Sequence, residues 1–97
     1  MDRYEEFQQE LAAMKPELRR EYHVREIGLF GSYVRNEQTD ESDLDILVEF
    51  EEPVSLLDLV RLERDLSDRL GVAVDLVTKG SLKPGIEERV TESVVYV

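Results

Sequence analysis

The sequence contains no cysteine. That excludes a disulfide framework, a thiolate zinc site and a cysteine nucleophile, and it is compatible with a reducing cytosol. Long apolar runs are also missing. Nothing approaches the ~20 residues needed to cross a bilayer, and the opening MDRYEEFQQE has no apolar signal core, so the expectation is a soluble, cytoplasmic chain with no membrane partner. Positive charge is scarce: 12 basic residues stand against 23 acidic ones, for a net charge of −11. Most of such a surface repels phosphate backbones, so nucleic acid is not expected as a direct partner. No internal repeat and no low-complexity linker interrupts the 97 residues, and that length suits one hydrophobic core, read as a single domain over 1–97.

What is present is an alternation of helical and strand patterns. Tyr4, Phe7, Leu11 and Met14 recur at three- and four-residue steps and predict an amphipathic helix over 2–14. Pro16 predicts a break or kink, with a second helical segment over 16–22. Val24 to Phe30 is short and apolar and reads as a strand; 36–42 is a polar loop; Leu44, Ile46, Val48 and Phe50 alternate with a more polar set and predict a second strand over 44–51. Ser55 and Asp58 form a capping box ahead of a helix whose apolar face is read as Leu56, Leu59, Val60, Leu66 and Leu70, ended by Gly71. A third strand is expected over 72–78, then a turn at Pro84-Gly85, a short helix to about Ser93, and a β-prone VVYV. The expected fold class is α/β (α+β), a small sheet flanked by helices. Its strand order is not fixed by the sequence.

The chemistry gathers in GLFGSYVRNEQTDESDLDILVEF, residues 28–50. Residues two apart on a strand share a face, so Asp43 and Asp45 project together, about 7 Å apart along the backbone. Asp75 sits between Val74 and Leu76, where an unpaired buried carboxylate would cost several kcal/mol; a cation, an ion pair or protonation would relieve it. If the two strands are neighbours, three hard oxygen donors meet at one edge of the sheet, which suits Mg²⁺ or Mn²⁺ better than zinc. The plain alternatives are a strand cap and a solvent-facing residue for the pair, and an arginine partner for Asp75. Gly31-Ser32 follows a strand and can offer backbone N–H groups to a phosphate, or can be an ordinary turn with Ser32 as N-cap. Glu41 belongs to the loop, and His23, the only histidine, is read as surface.

Gly31-Ser32, ten intervening residues and Asp43-Leu44-Asp45 together resemble the Gly-Ser-x10-Asp-x-Asp signature of the DNA polymerase β-like nucleotidyltransferases. With the SLLDLVRLERDL helix and VDLVTKGSLKP, nearly the whole chain resembles the minimal nucleotidyltransferase (MNT) antitoxins that partner HEPN ribonuclease toxins. The resemblance implies the polymerase β-like fold with a mixed sheet, and a Mg²⁺-dependent transferase using ATP as substrate, with Mn²⁺ as an alternative ion. It implies AMP transfer to a tyrosine of the cognate HEPN toxin, which is thereby neutralised; a non-catalytic antitoxin that binds and occludes the toxin is the alternative. It further implies Asp43, Asp45 and Asp75 as metal-binding catalytic residues and Gly31 and Ser32 as nucleotide-binding. Arg35 is a candidate phosphate contact, and Lys79 a more ambiguous one. Asn36 stands where many relatives have glycine, a departure that asparagine tolerates. A homo-oligomer remains compatible with the sequence.

Overall fold

The computed structural model describes residues 3–31, 43–79 and 94–97. The chain runs α1 (Arg3–Tyr22), β1 (Val24–Phe30), β2 (Leu44–Phe50), α2 (Leu56–Leu70), β3 (Val74–Thr78) and β4 (Val95–Tyr96). The expected polar loop, the Pro84-Gly85 turn and the short helix to Ser93 lie outside the described residues.

The break expected at Pro16 does not occur, because α1 continues through it to Tyr22. Proline removes one backbone donor, whose partner would have been the carbonyl of Ala12; both residues are exposed, so water can take that carbonyl. Leu11 and Leu18, on either side, are fully buried and hold both halves of the helix to the sheet. The helix ends where His23 turns left-handed (φ 60°). Its N–H donates to the Arg19 carbonyl at 3.1 Å, while its own carbonyl accepts from Glu51 N–H at 2.8 Å.

The ends of α2 follow the local rules visible in the sequence. Ser55 Oγ accepts from Asp58 N–H at 3.2 Å, and the Asp58 carboxylate accepts from Ser55 N–H at 3.4 Å. Gly71 closes the helix in the left-handed region (φ 70°). The inward face is phased differently from the sequence reading. Leu62, Leu66 and Leu70 are buried, Leu62 having been left out, whereas Leu56 and Val60 are exposed. Steps of four set the buried stripe, and Leu56 and Val60 lie round the helix from it.

The four strands are ordered β3-β2-β1-β4. β1 runs antiparallel to both β2 and β4, and β2 runs parallel to β3, which takes a crossover through α2. This is the expected mixed sheet. Both helices pack on one face, where Ile27, Leu29, Leu44, Ile46, Val48, Val74 and Leu76 meet Phe7, Leu11, Leu18, Leu62 and Leu66. Between the helices, the Arg69 guanidinium bonds the Glu17 carboxylate and lies 3.4 Å from that of Asp65, to which Tyr22 Oη donates at 3.4 Å. The hydrogen bond from Arg69 holds the Glu17 carboxyl below its ordinary value. Burial, then the Asp65 charge, push the Tyr22 hydroxyl above its own.

Candidate functional site

The polar residues of β2 emerge on the sheet's second face, because Leu44, Ile46 and Val48 are committed to the helices. Asp45, Leu47 and Glu49 share that second face. β3 pairs with β2 in parallel, with Asp75 directly opposite Asp45. Neighbouring strands lie about 4.8 Å apart, so these two carboxylates start from adjacent backbone positions on the same face. Asp43 precedes β2 by one residue and continues the Asp45 face towards the same end of the sheet. Three of the sequence-derived candidates are thereby brought to one end of two adjacent strands.

Gly31 joins them from β1. Phe30 pairs with Asp45, and Gly31 then leaves the strand with φ 81°. A Cβ built on Gly31 would lie 2.8 Å from Asp45 Cγ and closer still to Oδ2. Glycine therefore serves twice here: it permits the left-handed turn, and it lets the main chain pass against the Asp45 carboxylate. The sequence reading gave Gly31 either a phosphate-binding turn or an ordinary one. Its steric fit to Asp45 depends on the β1–β2 register, which no short-range pattern encodes.

The desolvation argument for Asp75 does not hold. The residue is exposed, since β3 is an edge strand and its second face is open at this position. Lys79 is separated from the carboxylates as well. It follows Thr78, which pairs with Val48, and its ammonium lies 3.8 Å from Glu49 near the far end of β2, where Arg25 is 3.7 Å from the same carboxylate. His23 is a surface residue as expected, with its imidazole 3.2 Å from Glu52, but its left-handed backbone was not foreseen. Ser32, Arg35 and Glu41 lie outside the described residues.

The donor set is all carboxylate, which suits Mg²⁺ or Mn²⁺. The backbone positions of Asp43, Asp45 and Asp75 fit such an ion. The side chains as placed do not close around one: among the described residues, no three acidic or histidine side chains converge on a metal site. Rotation about the side-chain bonds of the two exposed residues, Asp43 and Asp75, would be needed to bring them in.

Residues 11–97 match the family model of the nucleotidyltransferase domain. The chain belongs to that family, in its minimal, MntA-type branch. It is 56% identical over 93 residues to the protein adenylyltransferase MntA of Thermococcus cleftensis, covering 96% of this chain and 94% of the relative. A solved minimal nucleotidyltransferase superposes with a TM-score of 0.82 at 37% identity, covering 98% of this chain and 95% of the other. A chain from a toxin-antitoxin structure with AMP-PNP gives 0.72 at 27% identity, covering 87% and 69% respectively. A chain from tri-AMPylated Shewanella oneidensis HEPN toxin in complex with MNT antitoxin gives 0.67 at 25%, covering 92% and 70%. The minimal nucleotidyltransferase fold that the family resemblance implied is therefore the fold of this chain.

Proposed function

We propose that this minimal nucleotidyltransferase is a cytoplasmic antitoxin that transfers AMP from ATP to a tyrosine hydroxyl of a HEPN toxin and so silences it. The observation that supports this most is the register: Asp45 stands opposite Asp75, with Gly31 packed against the Asp45 carboxylate. The MntA relative at 56% identity is a protein adenylyltransferase, and the more distant complexes hold an ATP analogue or an AMPylated HEPN toxin.

In this reading Asp43, Asp45 and Asp75 hold Mg²⁺ or Mn²⁺. When bound, that ion offsets the triphosphate charge and stabilises the oxygens of an in-line displacement. The protein's own contributions are geometric. The Gly31-Ser32 turn takes the β- and γ-phosphate oxygens through backbone N–H groups and the serine hydroxyl, with Arg35 as a further contact. Asp75, exposed at the sheet edge, faces the side from which an acceptor hydroxyl can arrive. The tyrosine oxygen then bonds to the α-phosphorus as the bond to the bridging oxygen breaks, its proton passes to a neighbouring carboxylate or to water, and pyrophosphate leaves.

The test is transfer of label from α-labelled ATP to the co-expressed HEPN partner, with and without EDTA. Label on a toxin tyrosine that disappears with EDTA is the expected result. A toxin that is neutralised in a stable complex without ever acquiring label would instead establish the occluding, non-catalytic antitoxin.

A further inference from the structure

The described residues leave four large hydrophobic side chains exposed, and three of them lie within the first turn and a half of α2: Leu56 (75% exposed), Leu57 (59%) and Val60 (48%). The capping box holds this turn in place, so the patch is preformed. Arg61 and Arg64 continue the same outward side of the helix. Both are exposed, and neither takes part in an ion pair or hydrogen bond among the described residues. They place two guanidinium groups, without a carboxylate partner among the described residues, beside an apolar patch on a chain whose net charge is −11.

We infer that this outward face of α2 is the surface that grips the partner protein, and that the partner meets it with an apolar helix face edged by carboxylates. A second copy fits poorly. A two-fold contact would join two copies of the same chain, each with a net charge of −11, and so two bodies that repel. A partner with acidic edges satisfies both features at once: the leucines and valine fill its apolar stripe, and the arginines pair bidentately with its rim. The patch is on α2, whereas the carboxylates lie on the sheet's second face. Binding through α2 therefore leaves Asp45 and Asp75 uncovered. The inference rests on the antitoxin reading for the partner's identity, the HEPN toxin, and not for the existence of the patch.

The experiment purifies the full chain with its co-expressed HEPN partner and measures affinity by calorimetry and mass by light scattering. Three forms are compared: the parent, Leu57→Ser with Val60→Ser, and Arg61→Glu with Arg64→Glu. Both variants alter exposed side chains, and circular dichroism should show them folded. We expect each to weaken the complex about tenfold or more, as truncating an interface anchor or reversing its charge does. Each should still bind ATP at the parental affinity. Both variants binding the toxin as tightly as the parent would overturn the inference while leaving the antitoxin function standing. A parent that is itself a dimer, converted to monomer by Leu57→Ser with Val60→Ser, would assign the patch to a second copy and also overturn it. A parent that binds and modifies no HEPN toxin would remove the functional reading and the stated occupant together.

Discussion

The two faces of the sheet are built on opposite principles. On the helix-covered face the buried strand side chains are all aliphatic, and the Glu17 and Asp65 carboxylates of the helix layer each meet Arg69. On the second face the register sets Asp45 against Asp75, a like-charge pair, with the main chain of Gly31 pressed against one of them. The first arrangement lowers the free energy of the folded chain. Like charges directly opposite on neighbouring strands are by themselves destabilising, which a sequence would retain only where carboxylates in that position do something else.

The largest expected effect comes from breaking the covered face. Leu62 is fully buried among residues of both helices and the sheet, so Leu62→Ala should cost about 2–5 kcal/mol in a urea melt, from lost transfer energy and the cavity left behind. ATP-dependent transfer per folded molecule should be unchanged. If transfer falls while stability holds, the division of labour between the faces is wrong.

Gly31→Ala comes next and should affect both properties. The left-handed backbone and the approach to Asp45 together cost about 1–3 kcal/mol, and relief requires the Asp45 carboxylate or the β1 end to shift. Transfer should be lost even at temperatures where the variant is fully folded. A variant with parental transfer would show that the turn's contact with Asp45 is incidental.

How much of this contrast could be read from the sequence depends on the range over which each feature is encoded. The ends of α2 were legible because Ser55, Asp58 and Gly71 act within four residues of themselves, and the alternation of β2 told which of its side chains share a face. The adjacency of Asp45 and Asp75 was not, since it requires β2 and β3 to be neighbours across a whole helix. Local rules also misled. Pro16 breaks helices on average, but burial of Leu11 and Leu18 outweighs one lost hydrogen bond on an exposed side. Asp75 between two aliphatic residues suggested a buried charge, yet alternation on an edge strand sends it to solvent. The leucines of α2 were divided wrongly because its first turn is more apolar than its contact with the sheet requires.

A smaller effect, of opposite sign, should follow from relieving the second face. Asp75→Asn keeps the side-chain volume and removes one charge from the pair opposite Asp45, so in EDTA the variant should gain about 0.2–1 kcal/mol, the scale of a cross-strand pair. It should also lose transfer to the toxin. Asp43→Asn with Asp45→Asn should abolish transfer without unfolding the chain. A loss of several kcal/mol in EDTA for either variant would mean that these aspartates are structural.

The smallest effect tests the paired charges of the helix layer through their pH dependence. Arg69 lowers the Glu17 carboxyl below its ordinary 4.5, chiefly by a hydrogen bond, so the folded state binds that proton less readily than the unfolded chain. The sign follows: the stabilisation is complete above the ordinary value and is lost as pH falls through the lowered one. Both side chains are solvated and screened, so the magnitude is small, and the informative quantity is its slope. Melting temperatures of the parent and Glu17→Gln should differ at pH 7 and converge as the pH falls below about 4.5. A difference that persists unchanged into acid would mean that Glu17 contributes packing and not charge. In that case the opposition between paired charges on the helix layer and like charges on the second face would rest on Asp65 alone.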